Sequence, residues 1–422
     1  MLSPDRAESH NPRTEFRWYL SGVGAWFVSF GIQSVIATYL ITTVLQAPPS
    51  WLGIAQGVMN LPAVFLLLVG GAVADHLDNR ALMVGLHASA ALPPALLAAA
   101  VSFGWLSYEA VIIYGLAMGT ITAFMMPARE AMLGRVIVHD RDGAVQRAVT
   151  GALGVQFLSQ MVGMAATTFA RVAGVAPLLL LQSAVQLFGA FAASNLTPEA
   201  IDQRQKHSVL EHIRRIADGI REVGQSRTLL PITIVTFSIG ILLIGSFMVI
   251  LPVIMREEYG GTVVQFALLQ LAFWSGSITA SLTIARLGNV KERGRFLTLA
   301  LVIGGGVLML FSLPTALPVF YALVFVWGTG AGIMISMART IVQENAPPGH
   351  LARVMSVYQL GFTGGMPIGA FMLGFVVHAT GTRLAALVPG AAMLLVLVVL
   401  LITTDLWRIR SPERRETPAP AV

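Results

Sequence analysis

Residues 229–254 of this chain read LLPITIVTFSIGILLIGSFMVILPVI, an apolar run that contains no charged side chain. About 20 apolar residues in a helix are enough to cross the hydrocarbon core of a bilayer. Inside hydrocarbon the backbone must satisfy its own hydrogen bonds, and this run does not alternate in polarity as the strand of a barrel would. The segment therefore predicts a transmembrane helix.

The same pattern recurs along the whole chain. Of 422 residues, 55% are hydrophobic and only 11% are charged, and the mean hydropathy is +0.75, which is too apolar for an ordinary soluble domain. We predict an all-α membrane protein with about twelve transmembrane helices. The predicted spans lie near residues 18–45, 51–73, 81–104, 108–128, 148–170, 174–195, 229–254, 262–285, 296–313, 317–338, 354–378 and 384–404.

The positions of lysine and arginine predict the orientation. Of 27 such residues, only Arg171, Arg256 and Arg383 fall in loops on one side of the predicted membrane, which leaves 24 on the other side. Loops rich in Lys and Arg stay in the cytoplasm. Both termini are therefore predicted to be cytoplasmic. Because the basic residues lie in these loops, the net charge of +6 reflects topology and does not indicate a nucleic-acid partner.

The longest polar stretch divides the chain into two halves. We predict a cytoplasmic N-terminal tail, a first half of six helices, a cytoplasmic linker, a second half of six helices and a cytoplasmic C-terminal tail. These parts span residues 1–17, 18–195, 196–228, 229–405 and 406–422.

The linker contains the pattern of an amphipathic helix. Ser208 and Glu211 form a capping-box pattern at its start, and an apolar stripe at helical spacing follows, formed by Ile213, Ile216, Ile220 and Val223. Such a helix is expected at the cytoplasmic interface. It is either a linker that packs on the bundle and on anionic headgroups, or a regulatory lever.

An internal repeat supports the division into halves. The glycine-bearing run from Gly119 to Arg129 recurs as the run from Gly328 to Arg339, and each is followed by a short polar loop and a glycine-rich helix. This predicts a duplication of six plus six helices. Repeats of this kind place the substrate path between the halves, near the middle of the bilayer.

Three motifs carry a resemblance to a known family. The loop GAVADHLDNR at residues 71–80 resembles the signature loop of the major facilitator superfamily. The stretches PAREAML at 127–133 and APPGHLARVMSVY at 346–358 are more similar to the branch that contains bacterial exporters of siderophores such as enterobactin and of macrolides and other drugs. The resemblance implies the major facilitator fold, a monomer in a bacterial cytoplasmic membrane, and secondary transport with proton antiport.

The resemblance also implies a conformational gate. Gly71 lets its helix approach a neighbour closely, and Asp75 is expected to pair with Arg80 or Arg129 and to face the helix that opens near Arg353. Making and breaking these contacts would bias inward-open against outward-open states. The alternative is that Asp75 and Arg80 are solvated loop charges that only set the orientation.

The polar residues deep in the spans are amides, and no acidic residue lies deep inside a span. Amides facing lipid are costly, so they should face the bundle or a wet cavity. Gln156 and Gln160 share one helix face. We predict a neutral cavity for amphipathic small molecules, with hydrogen-bonding between helices as the alternative role of each amide. The predicted lining residues are Gln33, Asn60, Gln156, Gln160, Phe237, Gln270, Trp274 and Gln359. Gln182 and Gln186 lie in span six, which is peripheral in the family that the chain resembles, and are less favoured.

Four titratable residues are candidates for proton coupling. They are Asp75, Glu130 and Glu344 near the cytoplasmic ends of spans, and His87 inside span three. For His87 the alternative is a structural histidine hydrogen-bonded to a neighbour.

Other function classes lack their motifs. The sequence contains no phosphate-binding Gly-x-x-x-x-Gly-Lys-Ser/Thr loop, no nucleophile elbow, no metal-ligand cluster and no cysteine. We therefore predict no enzyme activity and no cofactor. The predicted function is proton-coupled efflux of amphipathic small molecules such as drugs or siderophores. The alternatives are an uncoupled facilitator or flippase for lysolipids or metabolites, and a membrane sensor or scaffold that does not transport.

Overall fold

The computed structural model describes residues 12–136, 144–198, 209–287, 290–347 and 350–410, and within these ranges the regular structure is entirely helical. The main helices of the first half are α1 (Pro12–Tyr39), α2 (Pro49–His76), α3 (Asn79–Ser102), α4 (Tyr108–Val136), α5 (Ala144–Ala166), α6 (Ala170–Ala173) and α7 (Val175–Ser194). A separate helix, α8 (Val209–Gln225), lies in the linker. The second half contains α9 (Leu229–Ser238), α10 (Gly245–Met248), α11 (Ile250–Tyr259), α12 (Val263–Leu287), α13 (Arg293–Leu310), α14 (Leu317–Asn345), α15 (Leu351–Thr380) and α16 (Thr382–Thr403).

Within the described ranges, 11 helical segments are long and apolar enough to cross a membrane. The 28-residue helix α2 lies where the sequence predicts the second span. Many helices run past the predicted spans, as α14 does from Leu317 to Asn345, because hydropathy marks only the part of a helix that is in lipid. The prediction of an all-α membrane fold is confirmed.

The first membrane helix of each half contains a π-helical turn, at its end in the first half and nearer its middle in the second. After α1 the chain forms a π-helical turn at Leu40–Val44, and between α9 and α10 it forms another at Ile239–Ile244. Such turns shift the register of the side chains that follow and are frequent at functional sites. The fifth predicted span is interrupted as well, by a 3₁₀ turn at Thr167–Phe169.

Helix pairing repeats between the halves. In the first half α2 packs on α4, α1 on α5 and α3 on α7, and in the second half α12 packs on α14, the α9–α10 segment on α15 and α13 on α16. These are equivalent pairs when the membrane helices of each half are numbered in order. The two halves are therefore pseudo-symmetric, and they meet mainly where α2 packs on α15 and α5 on α12.

The helices run up and down between two ends of the bundle. We call the end with the α2–α3 connection at residues 77–78 and the segment 404–410 the basic end, and the end with the connections 45–48 and 260–262 the opposite end. At the opposite end α2 crosses α15 closely. Gly53 permits this contact because it has no side chain, which would otherwise meet the backbone of Ala370 and Gly374.

Helix α8 docks on the basic end. Gly219 lies against the backbone of Arg353 on α15. Nδ1 of His350 contacts the carboxylate of Glu222, and Asp218 forms an ion pair with Arg353 at 3.9 Å. Val223 is buried, whereas Ile220 is exposed. The helix predicted in the linker is thus packed on α15 and α2. Its capping residue Ser208 lies outside the described residues.

Candidate substrate cavity and gates

Arg129 lies at a junction of three helices in the first half. Its Nη1 donates to Oε1 of Gln156 on α5 at 3.2 Å, and its guanidinium carbon lies 4.9 Å from the ring centroid of Phe27 on α1. Its backbone carbonyl accepts a hydrogen bond from the hydroxyl of Tyr19 at 3.2 Å. The side chain is half-buried. Arg129, predicted as a gate residue, therefore also reaches the predicted cavity residue Gln156.

The two glutamines of α5 have different surroundings. Gln156 is half-buried and bonds to Arg129. Gln160 is only 3% exposed, its backbone lies against Gly31 of α1, and its Nε2 has no hydrogen-bond partner among the described residues. The pair therefore shares a helix face but not a common environment.

The middle of the interface between the halves contains polar and aromatic groups. Nδ2 of Asn60 on α2 lies 3.9 Å from the sulfur of Met248 on α10. Across the second contact between the halves, the ring of Trp274 on α12 lies 6.3 Å from the ring of Phe157 on α5. Gln270, one turn before Trp274, has a buried Oε1 without a hydrogen-bond partner among the described residues. Asn60, Gln270 and Trp274 are thus placed at or beside the interface that the repeat predicts for the substrate path.

The remaining predicted cavity residues are distributed over three helices. Gln33 on α1 is half-buried, and Phe237 on α9 is 40% exposed. Gln359 on α15 is exposed, and its Nε2 donates to the hydroxyl of Thr363 one turn later at 3.1 Å. These side chains have accessible surface for a ligand.

His87 lies in a buried hydrogen-bond network, the arrangement expected for a structural histidine bonded to a neighbour; the other members of the network were not predicted. Its Nδ1 lies 2.7 Å from Oε1 of Gln186, Nε2 of Gln186 donates to Ser29 at 2.8 Å, and Nε2 of Gln182 donates to the same hydroxyl at 3.2 Å. Oε1 of Gln182 accepts from the hydroxyl of Tyr114 at 2.9 Å. The network joins α1, α3, α4 and α7. The spacing of Gln182 and Gln186 on one helix face was the signal that could have revealed it.

The predicted gate residues lie at the basic end with different partners. Nε and Nη2 of Arg80 donate to the carbonyl of Ser194 at the end of α7, at 3.2 and 2.6 Å. Arg353 contacts α8 through Asp218. Gly71 and Asp75 are in the last turns of α2, and the side chain of Asp75 lies outside the described residues, so its pairing stays a prediction.

The other acidic candidates are both exposed and differ in their surroundings. Glu130 is exposed beside Arg129. Glu344, at the end of α14, forms an ion pair with the buried Arg293 at the start of α13. Within the described ranges no group of His, Asp and Glu side chains is arranged to hold a metal ion.

Hydrogen bonds join the two halves at the opposite end. Nη1 of Arg256 donates to the carbonyl of Ala47 at 2.7 Å, and the hydroxyl of Thr43 donates to the carbonyl of Gly261 at 2.8 Å. Tyr39 and Phe266 add a ring contact at 6.1 Å. The opposite end is therefore closed by direct contacts between the halves.

Solved structures with the same architecture are transporters. The nucleoside transporter NupG aligns with a TM-score of 0.70 at 13% identity, covering 92% of this chain and 98% of that chain. A POT family transporter in complex with 5-aminolevulinic acid aligns with a TM-score of 0.72 at 11% identity, covering 94% of this chain and 97% of that chain. At these identities the likeness shows the fold.

Sequence comparison gives a relative and a family. Macrolide efflux protein A of Streptococcus pyogenes is 22% identical over 192 residues, which are 44% of this chain and 46% of that protein. The match thus spans about half the length of this relative. The family model described as transmembrane secretion effector matches residues 16–420. The chain therefore belongs to the transmembrane secretion effector family and is a multi-pass membrane transporter of the major facilitator type, not an enzyme.

Proposed function

We propose that this chain exports neutral or weakly anionic amphipathic small molecules from a bacterium by alternating access, in exchange for protons. The observation that carries the proposal is the junction of Arg129, Gln156 and Phe27. It combines a cation, an amide and an aromatic ring. Drugs and siderophores with polar groups on an apolar body have the matching chemistry.

The charge of Arg129 sets the preference for substrate charge. Arginine stays protonated in proteins and offers several donors to a carboxylate or carbonyl group. A permanent cation about 8 Å away would be repelled by about 2 kcal/mol at an effective dielectric constant of about 20. Neutral compounds avoid this repulsion, and weakly anionic compounds are attracted to the charge of Arg129. The relative that is a macrolide efflux protein supports the direction of transport.

The closed opposite end supports the proposal of alternating access. With the basic end in the cytoplasm, as the positions of lysine and arginine predict, the contacts of Arg256 and Thr43 close the external side. We infer that a cytoplasmic substrate is loaded in this state. Gly71, Asp75, Arg80, Arg129 and Arg353 form the proposed gate that closes the basic end in the other state.

Proton exchange is assigned to the basic end. Of the four candidates, His87 is fully buried in its network and Glu344 is occupied by Arg293. Glu130 and Glu344 are both exposed, but Glu130 lies beside Arg129 at the proposed gate. We assign proton uptake to Glu130 together with Asp75.

The proposal is tested in proteoliposomes with a pH-sensitive dye and a panel of neutral, weakly anionic and quaternary ammonium amphiphiles. We expect proton flux stimulated by the first two groups and little by the third. Arg129→Gln should lower transport of the weakly anionic compounds about tenfold or more, since hydrogen bonds to a charged group contribute about 1.5–3 kcal/mol. Arg286→Gln, on the exposed end of α12, is the matched control.

The same assay separates the alternatives. Movement of substrate without proton flux would support the alternative of an uncoupled facilitator or flippase. Quaternary ammonium dyes as the best substrates would contradict the role of Arg129. No movement of any compound by a folded protein would favour a sensor or scaffold.

A further inference from the structure

The segment after α16 folds back onto the start of α13 at the basic end. The backbone N–H of Gly294 donates to the carbonyl of Ile409 at 3.0 Å, and a side chain on Gly294 would meet the backbone of Leu406. Leu406 is buried. The guanidinium of Arg295 lies 5.5 Å from the ring centroid of Trp407. The segment 404–410 is thus held in a defined position beside α13.

Two adjoining cavities lie at this junction. One has a volume of about 350 Å³ and is lined mainly by Phe296, Leu299, Val302 and Trp407. The other has a volume of about 570 Å³ and is lined by Glu292, Arg295, Trp407, Arg408 and Arg410. Arg295 and Trp407 line both cavities. An apolar groove therefore continues directly into a pocket rich in arginine.

The polar cavity has an excess of positive charge. Three arginines and two carboxylates lie at this cavity. Glu292 pairs with Arg295 and, at 3.8 Å, with Arg410. Asp405 pairs with Arg408 at 3.8 Å. Three cations against two anions leave one positive charge. A phosphodiester carries one negative charge and accepts several hydrogen bonds from guanidinium groups.

We propose that this junction binds one anionic glycerophospholipid from the leaflet at the basic end. The phosphodiester occupies the polar cavity and an acyl chain occupies the apolar groove. A free phosphate would contact only the polar cavity. A lipid would also fill the apolar groove, because Leu299 and Val302 are 58% and 45% exposed on a membrane-spanning helix and so face lipid. Tryptophan at the boundary and a basic pocket on the cytoplasmic side are the features that recognise anionic headgroups.

The test uses quenching of tryptophan fluorescence by lipids that carry bromine on the acyl chains, with the full-length protein in detergent micelles. The difference between the wild type and Trp407→Phe gives the signal of Trp407. We expect brominated phosphatidylglycerol to quench this signal at a concentration at least about tenfold lower than brominated phosphatidylcholine does. Glycerol 3-phosphate in solution should not displace the lipid at equal concentration.

Variants test the charges and the groove separately. The double variant Arg408→Gln with Arg410→Gln, at highly exposed positions, should remove most of the preference for phosphatidylglycerol, and adding Arg295→Gln should remove the rest. The matched control changes three exposed arginines elsewhere at the basic end, Arg17, Arg227 and Arg286, to Gln and should keep the preference. Leu299→Asn should weaken quenching by both lipids.

Three results would overturn the proposal. Equal quenching by the two lipids would show that the charges select nothing. Loss of the preference in the control variant would show a general surface effect. Displacement of the lipid by glycerol 3-phosphate at equal concentration would show a site for a soluble anion and no contribution of the groove.

Discussion

At the scale of single residues, Arg129 changes the expected character of the cavity. The sequence motif placed it at a gate, and the amides alone predicted a neutral cavity. In the structure its guanidinium bonds to one of those amides and lies over Phe27. Arg129 belongs to the site because α4 continues to Val136 and so keeps this residue inside the helix, whereas the apolar run in the sequence ends just before it.

Single substitutions of Gln156 and Gln160 should have different effects. Gln156→Leu removes the acceptor of Arg129, and we expect it to weaken binding of a transported ligand by about 1–3 kcal/mol. Gln160→Leu removes a buried Nε2 without a described partner, so ligand binding should stay within about twofold of the wild type. Binding is measured by the change in tryptophan fluorescence. An equal loss in both variants would restore the idea of a glutamine pair presented to the ligand.

The network around His87 is expected to serve stability. Gln186→Leu removes the hydrogen-bond partner of Nδ1 of His87 and one of the two donors to the hydroxyl of Ser29, which keeps Gln182. Unsatisfied buried groups cost about 1–3 kcal/mol each, so we expect a lower melting temperature with an unchanged number of protons exchanged per substrate. The measurement is thermal unfolding beside proton flux. A changed stoichiometry at normal stability would make His87 a proton relay.

At the scale of helices, the sequence predicted positions better than irregularities. The long apolar runs placed the spans, because hydrophobic length is set by the bilayer. The π-helical turns at Leu40–Val44 and Ile239–Ile244 were not predicted, since one additional residue in a turn leaves no mark in an apolar run. The docking of α8 on α15 was also not predicted, because it depends on Gly219 and Arg353, which are far apart in sequence.

The crossing of α2 and α15 gives a prediction at this scale. A methyl group on Gly53 would collide with the backbone of Ala370 and Gly374, which no side-chain rotation can relieve. We therefore expect Gly53→Ala to prevent full closure of the opposite end and to lower transport at least about tenfold. Gly85→Ala, where the added methyl group meets nothing, should transport normally. Transport rate and the elution profile of the purified variants are measured together. Normal transport by Gly53→Ala would show that this crossing is not part of the cycle.

At the scale of the whole molecule, the repeat read from the sequence corresponds to the repeated helix pairing. The equivalence of α2 with α12 and of α4 with α14 follows from two similar halves, and the runs ending at Arg129 and Arg339 occupy equivalent helices. The substrate could not be derived in this way. It depends on a few side chains from several helices that meet only after folding, as Arg129 and Phe27 do.

The orientation is tested by reporters on the two sides of the membrane. Reporters fused after residue 200 and after residue 410 should both give a cytoplasmic signal, because 24 of 27 basic residues would otherwise lie outside. Alkaline phosphatase and green fluorescent protein fusions give opposite signals for the two locations. An external signal at either site would require an odd number of spans in the preceding part of the chain.

Alternating access of the whole molecule gives the last prediction. Arg256 joins the halves at the opposite end through the carbonyl of Ala47, so Arg256→Gln should weaken the closed state by about 1–3 kcal/mol. Since each 1.4 kcal/mol is a factor of about ten in population, the ratio of open to closed molecules should rise about 5- to 150-fold. The chain contains no cysteine, so a single Ala47→Cys, at a buried position, reports opening by its rate of maleimide labelling. Arg383→Gln, whose partner Glu258 lies in the same half, should leave the labelling rate unchanged.

Substrate added from the basic end should raise the rate of labelling in the protein that is otherwise wild type, because loading precedes opening of the other side. If Arg256→Gln is labelled as slowly as the control, the contacts at Ala47 do not hold the opposite end closed.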